Sequence, residues 1–166
     1  MGQLGFSYMG FAFLIMLMVP NLIWTRHKPD GYEAAAAREN RVLLAFECVG
    51  EALVTCMALA FSNLNPRTFE PWTLWLVLAV LCMLLYEIYW IRYFRSAHTM
   101  RDFYASLLGI PVAGATLPVA AFALLAIYGR SLWLLLAVAI LGVGHIGIHL
   151  QHLGEIRMET KEKEPA

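Results

Sequence analysis

Three histidines, His145, His149 and His152, stand in one apolar run near the C-terminus, four and three residues apart. At about 100° per residue they fall within roughly 60° of one another on one helical face. A histidine pair at i, i+4 can ligate a single metal ion. Glu47 and Glu51 repeat that spacing upstream, and Glu87 lies in the run Tyr86-Glu87-Ile88-Tyr89-Trp90-Ile91-Arg92-Tyr93. Imidazoles and carboxylates together suit zinc or iron, and an open coordination position would permit catalysis. His145, His149 and His152 are therefore the candidate metal ligands. Glu47, Glu51 and Glu87 are the candidate catalytic groups, as a further ligand, a general base or a proton carrier. Asn21, Tyr86, Tyr89 and Trp90 are the candidate walls of a ligand pocket, since an aromatic surface with one acidic group suits an amphipathic molecule or a lipid head. The plainer alternatives are hydrogen bonds between packed helices and an interfacial aromatic belt.

These groups sit in a chain built for lipid. Of 166 residues, 60% are hydrophobic and 14% charged, against roughly 45–50% and about 25% in soluble domains. Mean hydropathy is +0.64. Five segments approach the roughly 20 apolar residues a spanning helix needs: Gly5–Trp24, Val42–Ser62, Thr73–Tyr93, Leu107–Tyr128 and Leu132–His152. Runs of this length must be helical, because lipid offers the backbone no hydrogen-bond partner. The expected fold is all-α, an integral membrane bundle of five transmembrane helices. Residues 1–154 form the transmembrane domain and 155–166 a short, charged, disordered cytoplasmic tail. Met1 to Trp24 has no basic n-region and no A-x-A-like cleavage site, so it reads as a retained first span. The alanine-rich stretch from Tyr32 to Arg41 favours helix and would extend the second span into the cytoplasm.

Lys and Arg fix the expected orientation. Ten of the twelve lie in the loop after span one, around the end of span three, or in the tail. The opposite side holds Arg67 and Arg130. The N-terminus is thus expected outside and the C-terminus in the cytoplasm, in a cell membrane and most naturally a bacterial inner membrane. At about 1.5 Å per residue, Asn21, Glu47, Glu87 and His145 then share a depth of roughly 8–10 Å below the cytoplasmic interface. Glu51 lies deeper, at roughly 15 Å, and His149 shallower, at roughly 5 Å. Gly142, Gly144 and Gly147 flank the histidine stripe and would let a neighbour approach it; Gly109 and Ala113 would serve close helix contact in span four. Cys48, Cys56 and Cys82 read as small buried apolar residues, and His27 and His98 as solvated loop histidines.

The runs Pro20-Asn21-Leu22-Ile23-Trp24-Thr25-Arg26, Tyr86–Tyr93 and Gly144-His145-Ile146-Gly147-Ile148-His149 resemble those of small bacterial multi-pass membrane proteins, a resemblance that carries no function. His145-x-x-x-His149 is also similar to the zinc motif of the progestin/adipoQ receptor and ceramidase superfamily. That likeness implies metal chemistry but spans five positions, and the superfamily's seven helices and further serine, aspartate and histidine ligands have no counterparts assigned in this chain.

Three functions fit these residues. One is a metal-binding enzyme acting on a lipid or other hydrophobic substrate. Another is a proton- or cation-coupled transporter, or a membrane protein that binds a small ligand. The last is a non-catalytic assembly subunit whose polar layer only specifies packing. Expected partners are membrane lipids and a hydrophobic small molecule. The odd span count argues against a simple inverted-repeat transporter unless the chain forms a homo-oligomer. The net charge of zero gives no reason to expect nucleic acid.

Overall fold

Ser7 starts the first helix, its Oγ accepting from the Gly10 N–H at 2.9 Å. In this computed structural model, which describes residues 2–163, seven α-helices follow one another: α1 Tyr8–Trp24, α2 Tyr32–Ala36, α3 Arg41–Ala60, α4 Leu74–Phe94, α5 Met100–Phe103, α6 Ala113–Tyr128 and α7 Leu132–Lys163. No strand occurs among the described residues. Residues 164–166 of the tail lie outside them.

Three helical stretches, Arg41–Ala60, Pro71–Phe94 and Leu132–Glu159, are long and apolar enough to cross a membrane. Tyr8–Trp24 and Ala113–Tyr128 are apolar but shorter; 17 and 16 residues rise only about 26 and 24 Å against a hydrocarbon core of about 30 Å. The outward faces are as apolar as the inward ones. On α4, Leu74, Val77, Leu81, Leu84, Ile88 and Ile91 form an exposed stripe, while Ala79, Met83, Tyr86, Trp90 and Tyr93 on the other side are buried. A helix that is hydrophobic all round and only half covered by protein fits lipid as its solvent.

The connections gather at two ends. At one, Asn63 accepts from the Gln3 N–H at 2.8 Å and donates to the Gly129 carbonyl. There Ser7 and Gly5 also donate to Leu59 and Ala60, and Arg130 lies over Trp72 at 4.9 Å. At the other end, the α4 motif ties down loops. Tyr93 donates to the His27 carbonyl at 2.6 Å, Tyr89 to the Phe103 carbonyl at 2.5 Å, and Arg92 to the Ala105 and Ser106 carbonyls at 2.9 and 2.7 Å. His27 and His98 meet there ring to ring at 5.4 Å; His27 is exposed, as expected, and His98 half-buried.

Several boundaries depart from expectation. Span four does not begin at Leu107. Leu108, Gly109 and Val112 have φ of 52°, 81° and 42°, and Pro111 disfavours helix at Ile110, so α6 starts at Ala113. Gly109 consequently faces open space; the glycine in close contact is Gly114, against the Tyr89 ring. Tyr32 to Arg41 is not one continuous helix with α3, because the chain breaks after α2 and Asn40 caps α3, accepting from Val42 at 2.8 Å. The tail is not disordered up to Lys163, since α7 runs on as 32 continuous helical residues. Three consecutive residues anchor its exit. Arg38 pairs with Glu155 at 3.1 Å, Glu39 lies 3.4 Å from His152, and the Asn40 N–H donates to Gln151 at 3.3 Å.

Candidate functional site

The site is built on the seam between α3 and α7, which pack more extensively than any other helix pair. Two glycines set that approach. A Cβ at Gly144 would lie 2.3 Å from the Glu47 nitrogen and 2.6 Å from the Leu43 oxygen. One at Gly50 would lie 2.4 Å from Leu141 Cα. Backbone therefore meets backbone, as small residues permit between membrane helices. The next residue, His145, brings Nδ1 to 2.5 Å from Glu47 Oε1, a hydrogen bond between the two side chains. Both are largely shielded, at 24% and 16% exposure.

A cavity of about 450 Å³ opens beside this pair. From α1 it is lined by Asn21, from α3 by Glu47 and Glu51, from α4 by Tyr86 and Trp90, from α6 by Pro118 and from α7 by His145 and His149. The Asn21 amide donates to the Tyr86 hydroxyl at 2.8 Å and to the Leu17 carbonyl at 2.7 Å. At the end carrying α2 and α5, an aromatic cluster forms the floor. Trp24 stacks on Phe103 at 5.5 Å and meets Tyr32 edge-on at 4.8 Å. Burial, with the charges of Glu39 and Glu47, pushes the Tyr32 hydroxyl up to about 12, so it stays a neutral hydrogen-bonding phenol.

The expected layer is thus brought together in part. Asn21, Glu47, His145, Glu51 and His149 reach one cavity, with Tyr86 and Trp90 on its wall. Glu87 does not line it; α4 turns that side chain away, and its Oε1 is buried without a hydrogen-bond partner. Tyr89 likewise does not line the cavity, being fully buried and spent on the Phe103 carbonyl.

The three histidines do not form a metal centre. Among the described residues no three His, Cys, Asp or Glu side chains gather as a metal set. His145 and His149 are neighbours, ring centroids 4.7 Å apart. His152, however, lies seven residues from His145, about 10 Å along the axis, too far to share an ion with bonds of about 2 Å. It is also 1% exposed, and its Nδ1 hydrogen-bonds the Tyr104 hydroxyl at 2.6 Å. Zinc or iron held by this triad therefore finds no support.

Residue type and spacing do not single out three participants as site residues: Trp24, Tyr32 and Phe103. Trp24 has the pattern of an interfacial anchor, and the others lie in connections. Gly50, between Glu47 and Glu51, is the one sequence signal of close approach on α3. No protein-family model matches the chain, and neither a curated protein nor a solved structure is similar to it.

Proposed function

We propose that this chain crosses a cell membrane five times, N-terminus outside and C-terminus in the cytoplasm, and binds a small hydrophobic or amphipathic molecule beside the hydrogen-bonded Glu47–His145 pair. One observation carries this reading: a single cavity collects polar groups from α1, α3, α4 and α7 within otherwise apolar helices. Its volume of about 450 Å³ falls in the range of roughly 300–1,000 Å³ typical of small-molecule sites. Ionisable residues at membrane depth usually face such interiors and mark binding or proton pathways. The five-crossing arrangement is supported by the sorting of loops to two ends and by the excess of Lys and Arg at the end that carries Arg38, Arg92 and Arg157.

The test uses the full chain in dodecyl maltoside and a chain-brominated decanol as probe. Trp24 and Trp90 line the cavity, so the probe should quench their fluorescence saturably. Val119→Phe, which fills the cavity from α6, should abolish the saturable part. Linear, variant-independent quenching would remove the ligand-site reading.

The Glu47–His145 pair favours a second reading, an enzyme acting on a hydrophobic substrate. With Nδ1 engaged by Glu47, Nε2 is the atom left to exchange a proton with a molecule in the cavity, as in general acid–base catalysis. Chemical turnover of a bound amphiphile, lost in His145→Gln, would distinguish it from binding or transport.

A further inference from the structure

The cavity is uneven in charge. Its lining includes two carboxylates, Glu47 and Glu51, and no lysine or arginine. Glu47 is hydrogen-bonded to His145. Glu51, one turn further along α3, has no hydrogen-bond partner among the described residues. With no lysine or arginine in the lining, an ionised Glu51 leaves it with a net negative charge whether the hydrogen-bonded Glu47–His145 pair is neutral or itself anionic. A lone carboxylate in an apolar wall is costly, and a cationic group in the cavity would relieve it.

The wall tells what kind of cation. Trp24, Tyr32, Tyr86, Trp90 and Phe103 all line the cavity, with Trp24 and Tyr32 the more open of the five. Aromatic faces attract organic cations through the ring quadrupole, most strongly where water is excluded. The cavity, at about 450 Å³, far exceeds a bare metal ion and fits an organic molecule.

The mouth tells how it enters. The Trp24–Tyr32–Phe103 cluster closes the end beneath α2 and α5. On the flank, lining residues Met18 and Leu22 of α1 are 53% and 62% exposed. Glu51 and Thr55 of α3, also lining, are exposed as well. The opening therefore lies between α1 and α3, on the side of the bundle. A molecule passing there from lipid needs an apolar body.

We propose that the cavity binds an amphipathic organic cation, an ammonium head on an apolar chain, admitted sideways between α1 and α3, with Glu51 as the charge partner of the head. This rests on the reading of the cavity as a ligand site. The test compares decyltrimethylammonium, 1-decanol and decanoate on the full chain in dodecyl maltoside, by saturable change in tryptophan fluorescence. The cation should bind at least about tenfold more tightly than decanol, and decanoate most weakly. In Glu51→Gln the preference for the cation over decanol should shrink to under about threefold, with the thermal midpoint retained. Equal binding of cation and decanol by the unmodified chain overturns the cation assignment and leaves the ligand site standing, even if Glu51→Gln fails to fold. Retention of the preference in a folded Glu51→Gln overturns the role of Glu51. Failure of all three probes to bind saturably overturns the ligand site itself, and this inference with it.

Discussion

His145 Nδ1 and Glu47 Oε1 lie 2.5 Å apart across a seam where Gly144 leaves no room for a side chain. The hydrogen bond and the glycine are one device. A wider seam would pull the imidazole away from the carboxylate, and a wrong neighbour would leave two polar groups buried without partners.

Gly144→Ala should therefore cost about 1–3 kcal/mol, the usual penalty of overpacking. Gly154→Ala on the same helix, where nothing lies within 4 Å of the added Cβ, should be neutral or stabilising by up to about 1 kcal/mol. Thermal midpoints of the two variants in detergent check the contrast. Equal effects would mean that the α3–α7 seam has room to spare.

The pair itself is accessible to a double-mutant cycle. Glu47→Gln and His145→Gln should each destabilise, and the double variant should lose less than their sum. The coupling should be about 1.5–3 kcal/mol, as for hydrogen bonds to charged groups. Additivity would show that the contact contributes nothing.

Tyr104 and His152 form a separate unit, 2.6 Å apart with His152 fully buried. Tyr104→Phe should cost about 1–3 kcal/mol, because it leaves His152 Nδ1 unsatisfied. Saturable probe binding in the cavity, which His152 does not line, should persist. Loss of binding together with stability would join the two sites.

Glu39 gives a pH signature. Burial, and then the charge of Glu47, raises its carboxyl above the ordinary 4.5. Its stabilising contribution is then fully present below that ordinary value and is lost as pH rises through the raised one. Glu39→Gln cannot ionise, so its thermal midpoint should gain on the unmodified chain as pH rises from about 4 to neutrality. A gap that narrows instead would contradict the raised value.

Orientation can be read by cysteine labelling in right-side-out vesicles, on a background with Cys48, Cys56 and Cys82 replaced. Arg130→Cys should react with an impermeant maleimide from outside, and Met158→Cys only after permeabilisation. The reverse pattern would invert the chain.

Much of this is written in the sequence. Apolar length, the loop breakers and the clustering of arginines are local properties, and they locate α3, α4 and α7 within a residue or two at their starts. Helical rise, counted from the expected span ends, already sets Asn21, Glu47 and His145 at one level, and all three line one cavity. What the sequence leaves open is rotation. A helix apolar on every side has no polar face to say which side turns inward. Both Glu51 and Glu87 are therefore candidates, yet Glu51 lines the cavity and Glu87 does not. His152 looks like a third member of one stripe until Tyr104, from a connection with no helical pattern, reaches its ring. The close approach at Gly50 and Gly144, and the turn at Leu108–Gly109 that shortens α6, depend on which surfaces meet. Packing decides them, because only contact between distant segments distinguishes one face of such a helix from another.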